Sequence, residues 1–166
     1  MKTLTLSLLA ATTLFAGALV YAHCEVPCGI YGDKARIVML YEHTTTIEKS
    51  MQQISALAGK HEALAVNQSV RWVNNKDEHA TKLQHIVTQY FMTQRIKLPK
   101  EGDAKAEAKY MHELKCLHKM LIYAMKSKQT LDVKNAAKLR TAIDKFQASY
   151  LSKADQAHIK EHHGGK

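Results

Sequence analysis

From residue 37 onward the chain repeats apolar side chains at alternating steps of three and four, and nothing in it constrains the fold more. Ile37, Leu40, Thr44, Ile47, Met51, Ile54 and Ala58 form the first such series. Steps of three and four keep residues on one face only when the backbone turns every 3.6 residues, so the spacing predicts an amphipathic helix. Gly59 follows where a helix-terminating glycine belongs. The pattern then returns three times. Val66, Val70, Val73, Ala80, Leu83, Val87 and Tyr90 predict a helix over roughly 64–94, interrupted by Asp77. Tyr110, Leu114, Leu117, Leu121 and Ala124 predict one over roughly 104–128, and Ala136, Leu139, Ile143, Phe146 and Tyr150 one over roughly 131–150. Pro99 and Gly102 punctuate the series, and no stretch carries the period of a strand. Four such helices on short links predict an all-α four-helix bundle over residues 34–152. The polar residues 153–166, which end His162-His163-Gly164-Gly165-Lys166, are expected as a flexible tail.

The first 22 residues do not fit this scheme. Lys2 precedes an uncharged, apolar and small-residue run from Leu4 to Val20, and Val20-Tyr21-Ala22 ends in the small residue that signal peptidase requires. Residues 1–22 therefore predict a cleaved export signal, with the mature chain exported to the periplasm or secreted. Its partners are signal peptidase and the export machinery, and no stable membrane association is expected after the cut. Ala16-Gly17-Ala18 offers a second cleavage point, which would leave four residues ahead of His23. The remaining 23–166 suits one domain with a single core.

Residues 23–33 are a third kind of segment. His23-Cys24-Glu25-Val26-Pro27-Cys28-Gly29-Ile30-Tyr31 has no helical period and too little apolar surface to order itself, which predicts that something binds it. After cleavage at Ala22, His23 offers an imidazole and a free α-amine whose ordinary pKa, about 7.7–8.0, allows deprotonation when a metal competes. The amide nitrogen of Cys24 lies between that amine and the Cys24 sulfur, so the three atoms can close two adjacent five-membered chelate rings. Cys28 can fill the fourth corner, with Pro27 pre-bending the loop and Gly29 relaxing it. Two nitrogens and two sulfurs in a plane suit Ni(II) or Cu(II), with zinc as the next choice.

The motif His-Cys-Xaa-Xaa-Pro-Cys-Gly-Xaa-Tyr at a processed amino terminus ahead of a four-helix bundle resembles the nickel superoxide dismutases and their nickel-binding hook. The resemblance implies one nickel ion per subunit, held by His23, Cys24 and Cys28. Tyr31 then stands as the catalytic side chain over the open face. It also implies superoxide as the substrate, oxygen and hydrogen peroxide as products of Ni(II)/Ni(III) cycling, and a homohexamer. Glu25 occupies a position that is commonly Asp in the family. Val38 and Met39 stand near the position of the expected acidic partner of the axial imidazole, leaving Glu42 and Lys76, with Glu25, as candidates for groups that orient the site.

Other readings are weaker on the same residues. Two cysteines near the start of an exported chain are more often a disulfide than a metal site, and it is the conjunction of His23 at the cleavage point with Pro27, Gly29 and Tyr31 that favours metal here. The haem-attachment spacing Cys-Xaa-Xaa-Cys-His is absent, and no βαβ pattern supports a thiol redox pair. The net charge of +9, to which Lys2 contributes one, favours small anions. Its lysines and arginines are dispersed at helical spacing without stacking aromatics, which argues against nucleic acid. Cys116, between Leu114 and Leu117, is expected as a buried thiol, and His112 and His118 share no tight face with a third ligand. A nickel or copper delivery protein using the same hook without turnover is the alternative function.

Overall fold

The computed structural model describes residues 32–163. The expected export signal with its cut at Ala22, and the hook residues His23, Cys24, Glu25, Pro27, Cys28, Gly29 and Tyr31, lie outside the described residues. Five helices follow one another: α1 (Asp33–Leu57), α2 (Ala63–His85) running on into a π-helical segment (Ile86–Arg95), α3 (Ala104–Gln129), α4 (Lys134–Tyr150) and α5 (Lys153–His163). The first four pack as antiparallel neighbours, α1 on α2 and α3 on α4 most extensively, with α2 on α3 and α1 on α4 closing the bundle. No strand occurs among the described residues, and no helix among them is long and apolar enough to cross a membrane.

Local chemistry sets the links. Ala58 and Gly59 turn the chain between Leu57 and Lys60, whose N–H bonds to the Leu57 carbonyl at 3.1 Å. Gly59 stands at φ 79, which only glycine adopts without strain. Gly59 thus serves as the third residue of a turn. Asp103 starts α3 by accepting the Ala106 N–H on its side chain at 2.9 Å. Lys76, 3% exposed, closes the far end of the same helix by donating from Nζ to the carbonyls of Ser127, at 2.8 Å, and Lys128.

The core holds Ile37, Leu40, Ile47 and Met51 from α1, Ala80, Leu83 and Val87 from α2 and its continuation, Leu117, Met120 and Ala124 from α3, and Leu139, Ile143 and Phe146 from α4. The expected stripes of α1 and α4 lie inside over most of their length. On α2 only the second half does, since Val66, Val70 and Val73 are 49%, 55% and 41% exposed. Polar and amphipathic side chains meet α1 there instead. Asn75 donates to the Ser50 hydroxyl at 3.0 Å, and Lys49 lies over the Trp72 ring. Residues 153–163, expected within a loose polar tail, form α5, and Ile159 at 5% exposure joins the core. One well-placed apolar side chain docks this short helix where its polar composition predicted none.

Candidate metal centre

The expected metal-binding residues directly precede α1 in sequence, and the bundle end from which α1 begins is described. Asp33, the first residue of α1, gathers three side chains from two other elements on one carboxylate. Tyr90 donates its hydroxyl to Oδ1 at 2.7 Å, Tyr150 donates to Oδ2 at 2.8 Å, and the Arg95 guanidinium reaches Oδ2 at 2.7 Å. Burial raises the Asp33 pKa, but the hydrogen bonds from Arg95, Tyr90 and Tyr150 and the Arg95 charge outweigh it and hold the carboxyl below its ordinary range. The same network raises its partners. Tyr90 is pushed up to about 12, by burial first and then by its bond to Asp33, and Tyr150 rises for the same reasons.

The π-helical segment is what lets Tyr90 and Arg95 share that carboxylate. Residues five apart lie about 140° apart around an α-helix, which would turn one of them away. In a π-helix, closed by bonds five residues long, they stack on one face. The Ile96 N–H bonds to the Phe91 carbonyl at 2.9 Å, and the side chains of Thr93 and Gln94 reach back five residues to the carbonyls of Thr88 and Gln89. Arg95 lies 5.9 Å and Arg36 5.0 Å from the centroid of the Tyr90 ring, so two guanidinium groups flank one aromatic ring. Beneath them the packing is aromatic. Phe91 meets Phe146 edge-on at 4.9 Å and Tyr150 edge-on at 5.6 Å, while Phe146 and Tyr150 stack at 5.0 Å. Lys34 bridges to Asp155 at 3.1 Å and brings α5 to the same end.

Of the candidate outer partners, Glu25 lies outside the described residues. Glu42 is exposed on α1, nine residues or about 13 Å along the helix from Asp33. Lys76 stands about 20 Å along α2 from Tyr90 at the helical rise, with its ammonium on the carbonyls that end α3. The fold therefore brings Glu42 and Lys76 neither to one another nor to Asp33. Val38 and Met39 pack against the core. Cys116 is buried as expected, at 4% exposure.

Asp33, Arg36, Tyr90, Arg95 and Tyr150 were not singled out by sequence. The available signal was tyrosine at positions 90 and 150, where a helical stripe would equally accept phenylalanine: a hydroxyl taken into a core needs a partner. Among the described residues no group of three or more His, Cys, Asp and Glu is placed to hold a metal ion. The residues expected to hold nickel, His23, Cys24 and Cys28, lie outside the described part of the chain.

The family model of the nickel-containing superoxide dismutases matches residues 18–154, spanning the hook and all four helices of the bundle. No curated protein and no solved structure matches the chain. The chain belongs to the nickel-containing superoxide dismutase family, a family of oxidoreductases with a nickel cofactor.

Proposed function

We propose that this member of the nickel-containing superoxide dismutases is exported, loses residues 1–22, and holds one nickel ion per subunit at its new amino terminus. His23 supplies the α-amine and the imidazole, Cys24 its amide nitrogen and thiolate, and Cys28 its thiolate. The family match carries this reading because it runs unbroken from the hook into the bundle. Nickel, when bound, supplies the one-electron couple that the dismutation of superoxide to oxygen and hydrogen peroxide requires.

The chain's own groups do the rest. Tyr31 would exclude larger ligands and hydrogen-bond an incoming anion. Asp33, two residues later, ties the start of α1 to α4 and the π segment and so fixes the base from which the hook departs. Arg36 and Arg95 add positive charge at that end of a basic chain, which favours approach of a small anion. Subunits assemble as a homohexamer in this reading.

A delivery protein without turnover would use the same donors, and the family match does not favour it. Superoxide decay followed with nickel-loaded protein of measured metal content separates the two. Decay proportional to bound nickel is expected, and a fully loaded protein that leaves superoxide to its spontaneous rate overturns the reading. Intact mass tests processing independently. A mature chain beginning at Leu19, or retaining Met1, would deny nickel the His23 amine.

A further inference from the structure

His43 on α1 and His79 on α2 face each other across the seam between the first two helices, and the function above uses neither. Their Nδ1 atoms lie 3.0 Å apart, with ring centroids at 5.0 Å and ring planes at 75°. His43 is 9% exposed, while His79 is half-buried and opens the pair to solvent. The pair lies ten residues, about 15 Å, along α1 from Asp33, well away from the bundle end described above. With no other ion present, one Nδ1–H donates to the lone pair of the other ring.

The same separation is the bite of a metal ion. With metal–nitrogen bonds of about 2.0–2.1 Å, two ligands at a right angle lie about 2.9 Å apart, and two at the tetrahedral angle about 3.4 Å. The observed 3.0 Å matches the right-angled case. We propose that His43 and His79 form a second transition-metal site, which takes a divalent ion of square-planar or octahedral preference, Ni(II) or Cu(II), on the two Nδ1 atoms. Water completes the shell, because no third protein ligand is placed there among the described residues. The ring that carried its proton on Nδ1 moves it through solvent to Nε2, so both rings remain neutral and no net proton is released. Lys82, paired with Glu78 at 2.6 Å, puts positive charge near both rings, and Glu78 offsets it at His79. With two ligands and a neighbouring cation, the site binds more weakly than the hook. It fills after the hook and empties first.

Protein already holding nickel in the hook, titrated with further NiCl2 or CuSO4 at pH 7.5, tests the site. One additional ion is expected to perturb the imidazole NMR signals of His43 and His79, with Cu(II) broadening the nearby Leu40, Ile47 and Leu83 methyls, and to raise the melting temperature. His79→Gln keeps a polar, partly exposed side chain and is expected to stay folded, to weaken that event at least tenfold and to abolish the thermal shift. Lowering the pH to about 4, where His43 takes up its proton, is expected to weaken it as well, since protons compete for the same lone pairs. A titration whose broadening is confined to His158, His162 and His163, or one unchanged by His79→Gln, overturns the proposal. His43→Ala supplies a second variant with the same expected loss of binding, read by the same signals once circular dichroism has verified the helices.

Discussion

At the scale of single residues, the ligand reading makes contrasting demands on neighbouring side chains. Cys24→Ser and Cys28→Ser each replace a thiolate with a hydroxyl, a poor donor to nickel, and are expected to abolish both metal content and superoxide decay. His23→Ala keeps the amine and loses the imidazole. Nickel is expected to stay while turnover falls, and wild-type turnover in this variant would remove the imidazole of His23 from the groups proposed to serve the metal. Asp33 makes a different demand. Asp33→Asn keeps an acceptor oxygen but loses the charge that holds Arg95, a group with charge-assisted bonds worth about 1.5–3 kcal/mol in buried settings. Asp33 is 19% exposed and Arg95 37%, which discounts that figure to about 1–2 kcal/mol by thermal or urea unfolding. Asp33→Ala, which also leaves the Tyr90 and Tyr150 hydroxyls without their acceptor, is expected to cost more.

At the scale of elements, Lys76 separates two ideas about one side chain. Its ammonium ends α3 by binding the Ser127 and Lys128 carbonyls. Lys76→Met is therefore expected to cost about 1–3 kcal/mol of stability while leaving nickel content and turnover per nickel unchanged. A loss of turnover at full nickel would restore Lys76 as a partner of the site. The seam between α1 and α2 carries its own pH dependence. Burial first, then His79 and Lys82, hold His43 down to about 4 against an ordinary 6.5. The unfolded chain takes up this proton near 6.5 and the folded chain only near 4, so stability is full above about 6.5 and declines as pH falls. The loss completes near pH 4 and amounts to up to about 3 kcal/mol for the coupled pair. Urea unfolding at pH 7.5 and 5 is expected to show most of the decline before ordinary carboxylates titrate, and His43→Phe to flatten it.

These elements were legible in sequence wherever one face of a helix meets one apolar neighbour. The stripes of Ile37 to Met51 and of Ala136 to Phe146 lie inside as expected. The reading failed on the first half of α2, because Val66, Val70 and Val73 follow the helical period while Asn75 and Trp72 make the contact with α1. Periodicity records spacing and not the polarity of the facing helix. It also could not reveal the π-helical turn, since the shared carboxylate of Tyr90 and Arg95 is a tertiary arrangement with no local signature. The hook was read from donor types and short spacing alone, and its residues lie outside the described part of the chain. The carboxylate that anchors the start of α1 was not legible, because its three partners lie 57, 62 and 117 residues away.

At the scale of the whole molecule, the positive charge sets how substrate arrives. A chain with an excess of cations draws superoxide over roughly a Debye length, about 10 Å at 0.1 M salt and less as salt rises. The second-order rate constant is therefore expected to fall with ionic strength when nickel content is held fixed, and a flat or rising profile would show that the net field does not guide the anion. The antiparallel arrangement has one further consequence, a practical one. Through the Lys34–Asp155 bridge, α5 brings the carboxyl-terminal part of the chain to the end where α1 begins. If His23 is the mature amino terminus, a tag retained ahead of it is expected to lower nickel content, and a polyhistidine tag after Lys166 is expected to compete for the same metal. The links at residues 58–62 and 130–133 lie at the opposite end of the bundle, where a fusion or surface attachment leaves the start of α1 unaltered.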